Sequence, residues 1–315
     1  MKYYAGIDFG GMSAKAGLFD ENGKLLAKDS VKTSKEDGYA VTVAKMAQLV
    51  RALGESKKVK VSAVGIGSPG IIDGKEGVVV NWFNYGWSDK PLARDLSEKL
   101  GVPVSLTNDA NAAALGEAKF GAGKNYEDSV FITLGTGVGS GIVLGGKVFE
   151  GSHGAGAEVG HMVVEVGGIP CPCGRRGCFE QYASASALIR DTKRAMFEHK
   201  NSLLWTLVGG DPENVDGKTA FAAARENDTA AKQVVKNYIM YLGEGVLNLV
   251  NIFRPQAVVI GGGVSNEGEA LLQPLRRYVS ERLLVDCERV PLAINRAALG
   301  SDAGMYGACA LVLGK

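Results

Sequence analysis

From Tyr3 to Asp8 the chain is mostly apolar, which predicts a short buried strand; Gly10-Gly11-Met12-Ser13 then turns it into a second strand through Ala16, Leu18 and Phe19. Asp20-Glu21-Asn22-Gly23 carries a hairpin signal, with Lys24 to Ser30 as the return strand. The period then lengthens. Val43, Met46, Ala47, Val50 and Leu53 recur at helical spacing, and the β-rich run Val59 to Ile66 follows. A shorter helix over Pro91 to Leu100 places proline where its missing N–H costs little. Val102 to Thr107 reads as a strand, after which Asn108-Asp109 opens an alanine-rich helix, Ala110 to Phe120.

The same order restarts at Ser129. A strand to Leu134 meets the turn Gly135-Thr136-Gly137-Val138-Gly139, and strands over Gly141 to Leu144 and Lys147 to Glu150 follow. After an insertion come a long helix, about Ala231 to Phe253, and the apolar strand Gln256 to Ile260, stopped by Gly261-Gly262-Gly263. Further helices are expected over Glu267 to Leu284 and Asp302 to Leu313. Two copies of three strands followed by alternating helices and strands predict a duplicated α/β domain with ligands in a cleft between the copies.

Composition narrows the class. The 315 residues suffice for two ordinary domains, and no apolar run reaches the ~20 residues needed to span a bilayer. The opening Met1-Lys2-Tyr3-Tyr4-Ala5-Gly6-Ile7-Asp8 lacks the pattern of a secretory signal, so a cytoplasmic protein with no membrane role is expected. A net charge of +1 gives no basic field that would gather nucleic acid. Of five cysteines, Cys171, Cys173 and Cys178 crowd together while Cys287 and Cys309 stand apart, which in a reducing compartment points to metal.

Glycine, at 44 residues, is about twice as common as average and gathers in turns after strands. Gly10-Gly11 and Gly135-Thr136-Gly137 hold equivalent places in the two copies. Glycine lets backbone N–H groups close on an anion, so the pair could grip a polyphosphate, although each alone reads equally well as a tight turn. Ser140 occupies the third glycine position of a dinucleotide fingerprint and a strand follows, which argues against a Rossmann site. Gly141 to Lys147 has Walker A spacing, but Val148 stands where a hydroxyl would hold magnesium. Asp8, ending the first strand, could hold hydrated magnesium or simply bond the glycine turn.

The insertion contains Glu158-Val159-Gly160-His161 and Cys171-Pro172-Cys173-Gly174-Arg175-Arg176-Gly177-Cys178-Phe179-Glu180. Three thiolates with His161 make up the ligand set of a closed tetrahedral zinc site, with His153 and His199 the alternative histidines. Such a metal would hold Glu158 and Glu180 as acceptors for a polyhydroxylated substrate. Taken alone, either glutamate reads more readily as a solvated surface charge. Asn108 and Asp109 lie where α/β sheets place ligand groups, and both residue types also cap helices.

Asp8-Phe9-Gly10-Gly11, Gly67-Ser68-Pro69-Gly70, Asn84-Tyr85-Gly86-Trp87, Asn108-Asp109-Ala110-Asn111-Ala112, Leu134-Gly135-Thr136-Gly137, Glu158-Val159-Gly160-His161 and the cysteine cluster through Glu180 together resemble the ROK family, its bacterial glucokinases most closely. The resemblance implies a two-lobed actin-like/RNase H-like ATPase fold. The N-terminal lobe would span 1–117, joined by a C-terminal helix within 298–315, and the second lobe 118–297 with a zinc-binding insertion at 151–182. It implies that ATP, with Mg2+, phosphorylates the C6 hydroxyl of a hexose, foremost glucose, and that Asp109 is the catalytic base. Gly70, Asn84, Asn108, Asp109, Glu158, His161 and Glu180 would contact the sugar. Asp8, Gly10, Gly11, Met12, Ser13, Gly135, Thr136 and Gly137 would serve the phosphates, and Gly262 and Gly263 would wall the adenosine. His161, Cys171, Cys173 and Cys178 would bind structural Zn2+, and the partner would be a second copy in a homodimer.

Met12 departs from the family's usual threonine, with Ser13 next to it and Lys15 two beyond. N-acetylmannosamine, N-acetylglucosamine, allose and fructose are rival acceptors, and a catalytically dead sugar sensor is a further reading. A sugar-responsive repressor would need a DNA-binding segment ahead of a first strand that here starts at Tyr3.

Overall fold

A computed structural model describes residues 1–286 and 288–314. Cys287 and Lys315, the latter the last residue of the expected C-terminal helix range, lie outside the described residues. The chain forms β1 (Tyr3–Phe9), β2 (Ser13–Asp20), β3 (Leu25–Lys32), α1 (Gly38–Lys57) and β4 (Val61–Ser68). Next come β5 (Ile71–Asp73), β6 (Val78–Trp82), β7 (Trp87–Lys90), α2 (Leu92–Leu100), β8 (Val104–Asn108) and α3 (Asp109–Phe120). The second round has β9 (Ser129–Leu134), β10 (Val138–Leu144) and β11 (Lys147–Val148). Helices α4 (Glu180–Ala183), α5 (Ala185–Glu198), α6 (Leu203–Leu207), α7 (Thr219–Arg225) and α8 (Thr229–Phe253) follow. The chain closes with β12 (Ala257–Gly261), α9 (Glu269–Ser280), β13 (Ala293–Arg296) and α10 (Ala303–Ala310).

The two five-stranded sheets repeat one plan, β3-β2-β1-β4-β8 and β11-β10-β9-β12-β13. In the first, β1 pairs antiparallel with β2 and parallel with β4, which pairs parallel with β8. A meander of three strands continued by two parallel strands, made twice, is the duplicated α/β arrangement of actin-like ATPases. Strands β1 and β4 are buried along most of their length, as near-continuous apolar runs require. Strand β3 is an edge with Lys28 and Lys32 in it, charges that discourage pairing with another chain.

Two compact units are distinguishable: Met1–Phe131 with Gly141–Ala157 and the segment from Ala298 onward, and Ile132–Ser140 with Glu158–Ala297. In the first, α10 packs on α3, β1 and β4. The approach is close enough that a β-carbon on Gly65 or Gly307 would overlap the carbonyl oxygens of Ala308 and Ala112. Glu117 of α3, 1% exposed, fixes the chain's return to this unit: its carboxylate accepts from Ala122 N (2.8 Å), Ala298 N (3.0 Å) and Leu299 N (2.7 Å).

Several expectations need correction. The helix expected to Leu284 stops at Ser280, after a separate 3-10 turn at Gly263–Glu267. Its buried stripe ends with Val279, and Leu284 is 87% exposed. Strand β11 covers two residues instead of four, because Glu150 turns aside to accept a hydrogen bond from Thr107 Oγ1 at 2.5 Å. The short sheet β5-β6-β7, helices α5 to α7 and strand β13 had no clear sequence signal. Among the described residues no helix is long and apolar enough to cross a membrane.

Replacing Glu117 by Ala would orphan three backbone donors, at about 1–3 kcal/mol for each group left buried and unpaired. The unfolding midpoint is expected to fall by several degrees in calorimetry, and an unchanged midpoint would show that the carboxylate does not hold the segment at 298–299.

Candidate active site

In the first unit, Asn108 caps α3 with Oδ1, accepting from Ala110 N (2.8 Å) and Asn111 N (3.3 Å), while Nδ2 donates to Gly70 O at 3.2 Å. One amide therefore starts the helix and fastens the loop after β4. Asp109 is the first residue of α3, half-buried, with Oδ1 accepting from Ala110 N at 2.9 Å. Burial raises its carboxyl above the usual range, opposed by the backbone N–H groups around it and by Asn108.

Asp8 is also half-buried, near the end of β1. Burial pushes its carboxyl up to about 6; Lys15 pulls it down, and Asp109 and Asp302 raise it further. Strand pairing sets Lys15 opposite Asp8. The turn joining the two strands is closed by Gly10 N donating to Ser13 O at 2.9 Å. The N–H groups of Gly11 and Met12 have no acceptor among the described residues. Such an open pair is suited to an anion. Met12 presents its side chain outward, 84% exposed, and Ser13 starts β2.

The same unit joins this turn to the Asn84-Tyr85-Gly86-Trp87 segment. The Tyr85 hydroxyl donates to Gly11 O at 3.1 Å and lies 3.2 Å from Thr33 Oγ1, while its ring stacks on Trp82 at 3.9 Å. Asn84 itself is exposed.

In the second unit, Gly135 N closes its turn on Gly137 O at 3.1 Å, with Thr136 exposed. Gly137 lies against Glu180, so that a β-carbon there would come within 2.6 Å of Oε2. Gly262, at φ 79°, is packed flush on the backbone of Leu134, while Gly263 faces open space. Gly262 and the Gly135 turn are thereby neighbours.

One ligand atom each from His161, Cys171, Cys173 and Cys178 falls within 4.8 Å of the others. Two separations, Cys173 Sγ to Cys178 Sγ and Cys171 Sγ to His161 Nδ1, are both 3.6 Å. A tetrahedron with metal–sulfur bonds of ~2.3 Å has edges of about 3.8 Å, so the donor set fits a small four-coordinate metal ion. Glu180 lies beside it, with Oε1 3.1 Å from Cys171 Sγ and 3.7 Å from His161 Nδ1. Glu158 is exposed. His153 is not near the cluster: its Nδ1 lies 3.5 Å from Asp73 Oδ2. His199 lies just past α5.

Within the first unit, Asp8, Gly10, Gly11, Gly70, Asn108 and Asp109 are therefore tied into one neighbourhood; within the second, Gly135, Gly137, Gly262, His161, Glu180 and the cysteines. Sequence reasoning missed the placement of Lys15 and the link through Tyr85. Hairpin register counted from the Gly10-Gly11 turn would have set Lys15 opposite Asp8.

A three-stranded meander continued by two parallel strands, made twice and each time turned at glycines after its first strand, defines an actin-like ATPase fold. The chain belongs to the ROK family, whose pattern matches residues 4–315. A glucokinase of Thermotoga maritima is 38% identical over 308 residues, covering 98% of this chain and 96% of the relative. The crystal structure of a ROK family glucokinase from Streptomyces griseus in complex with glucose and AMPPNP matches with a TM-score of 0.79 at 37% identity, over 98% of each chain. A xylose repressor of Caldicellulosiruptor bescii is 34% identical over 255 residues, which are 79% of this chain and 62% of the repressor.

Because the folded-state value of Asp8 is raised to about 6, its ionisation costs stability. That cost grows as pH rises through the ordinary carboxylate range and levels off above the raised value. Asp8→Asn is therefore expected to raise the thermal midpoint, by more at pH 7.5 than at pH 4.5. An equal shift at both values would show that Asp8 titrates normally.

Proposed function

We propose that this chain transfers the terminal phosphoryl group of ATP to the C6 hydroxyl of glucose, with Asp109 as the base. The observation that carries the reading is the half-buried carboxylate of Asp109, raised by burial and positioned by the Asn108 cap, in a chain similar along nearly its whole length to glucokinases. A carboxyl raised in this way is a better proton acceptor than an ordinary aspartate. It would take the hydroxyl proton as the sugar oxygen attacks phosphorus. Phosphoryl transfer needs little covalent help, so alignment and charge compensation supply most of the acceleration.

The reading assigns sugar contacts to Gly70, Asn84, Asn108, Glu158, His161 and Glu180, and the phosphates to the turns at Gly10-Gly11-Met12-Ser13 and Gly135-Thr136-Gly137. Gly262 and Gly263 are assigned to adenosine and Asp8 to hydrated magnesium, which would neutralise charge on the transferring group. Zinc is the metal proposed for His161, Cys171, Cys173 and Cys178; four protein ligands leave no open position, so its task would be structural. Nδ1 of His161 is the nitrogen turned to Cys171, leaving Nε2 for a substrate hydroxyl. A kinase using ATP in this way would act in the cytoplasm.

Asp109→Asn is expected to bind glucose as the parent does while kcat falls by about 10²–10⁴-fold; near-normal turnover would remove Asp109 from its role. With a panel of glucose, fructose, allose, N-acetylglucosamine and N-acetylmannosamine, ADP release should be dominated by glucose, and a preference for an N-acetylhexosamine would reassign the acceptor. Elemental analysis should find one zinc per chain. Cys173→Ser, at an exposed ligand, should lose it and raise the glucose KM about tenfold with little change in the ATP KM. A zinc-free variant with full glucose affinity would separate the metal from the sugar.

A further inference from the structure

We propose that Tyr85 is a positioning residue of the phosphate turn: its hydroxyl, bonded to Gly11 O, orients the peptide between Gly11 and Met12 so that the Met12 N–H is offered to a phosphate oxygen. The inference deepens the kinase reading above and rests on it. A trans peptide is planar, with its C=O and N–H on opposite edges. Holding one carbonyl therefore fixes the direction of the next N–H. The Tyr85 hydroxyl donates to Gly11 O at 3.1 Å, and Thr33 N donates to Met12 O at 3.1 Å. Both carbonyls are thus tied to buried residues, while the N–H groups of Gly11 and Met12 have no acceptor among the described residues.

The side chains of the turn do not set this orientation. A β-carbon on Gly11 would meet nothing within 4 Å, and Met12 is 84% exposed. Glycine lets such a peptide turn over with little steric resistance. Reversed, it would present the Gly11 carbonyl oxygen to the phosphates, a partial negative charge in place of a donor.

The hydroxyl that prevents this is itself held firmly. The Tyr85 ring stacks on Trp82 at 3.9 Å and meets the edge of Phe9, two residues before Gly11, at 5.7 Å. A tyrosine hydroxyl has one proton. With that proton on Gly11 O, the Thr33 hydroxyl, 3.2 Å away, donates to the Tyr85 oxygen. Tyr85 and Thr33 are 6% and 4% exposed, so water has little access to replace either bond.

Calorimetric titration of the parent protein and Tyr85→Phe with AMPPNP plus magnesium, with adenosine and with glucose tests this. The substitution keeps the ring and its stacking and removes the hydroxyl alone. If the competent turn falls to about a tenth of the population, AMPPNP binding should weaken by about tenfold. Adenosine and glucose affinities should stay within about twofold, since neither ligand carries a phosphate. In protein labelled with [15N]methionine, the Met12 amide, assigned by its loss in Met12→Leu, should shift when AMPPNP binds the parent. AMPPNP binding unchanged in Tyr85→Phe, or all three ligands weakened alike, would overturn the proposal and leave the kinase reading standing. Should Tyr85→Phe fail to fold, a Met12 amide unmoved by bound AMPPNP in the parent would overturn it equally. Failure of the parent protein itself to bind AMPPNP would overturn the kinase reading, and the role of Tyr85 with it.

Discussion

The chemistry of the first unit depends on the burial of like charges. Asp8 lies near the end of β1 and Asp109 directly follows β8, two strands of one sheet separated by β4, and Asp302 is brought beside Asp8 by the return of α10. Water would normally dissipate such repulsion. Here burial raises both Asp8 and Asp109, so the unit stores unfavourable electrostatics that a cation or a proton can relieve. What keeps the carboxylates in place is packing: glycines let α10 come within backbone contact of β4 and α3, and Glu117 pins the segment leading to it. The ends of β1 and α3 and the start of α10 therefore act as one rigid support.

The second unit solves a different problem with a different tool. The segment from Val163 to Cys178 has almost no regular structure, only short bridges at Val163↔Cys178 and Pro170↔Arg176 and a set of tight turns. Loops of that kind are ordinarily the least precise parts of a fold. A four-ligand metal cluster would give this one the stiffness of a core, and Glu180, at the start of α4, touches both the cluster and Gly137. Carboxylate, metal ligands and glycine turn thus share their tolerances.

Much of this was legible in the chain. The strand–glycine–strand pattern appears twice because backbone hairpins that approach an anion need small residues at fixed places, and it is found twice as matching sheet orders. The Asn108-Asp109 junction was readable because capping chemistry is local. The sheet β5-β6-β7 was not, since its strands are short and Trp82, Tyr85 and Trp87 are buried by packing on Phe9, a long-range contact that leaves no periodic trace. Helix α9 was overextended because Leu283, Leu284 and Val285 continue an apolar run, yet Leu284 is exposed. Lys15 passed as an ordinary strand residue because its meaning comes from the residue across the hairpin, which register alone reveals.

The central claim is most directly tested by where phosphorus ends up. Phosphorus–proton correlation NMR of a reaction containing the protein, glucose and magnesium-ATP should show one phosphomonoester coupled to the C6 methylene protons, growing in step with ADP. An ester at another carbon, or ADP accompanied only by inorganic phosphate, would contradict a base at Asp109 aligned with the C6 hydroxyl.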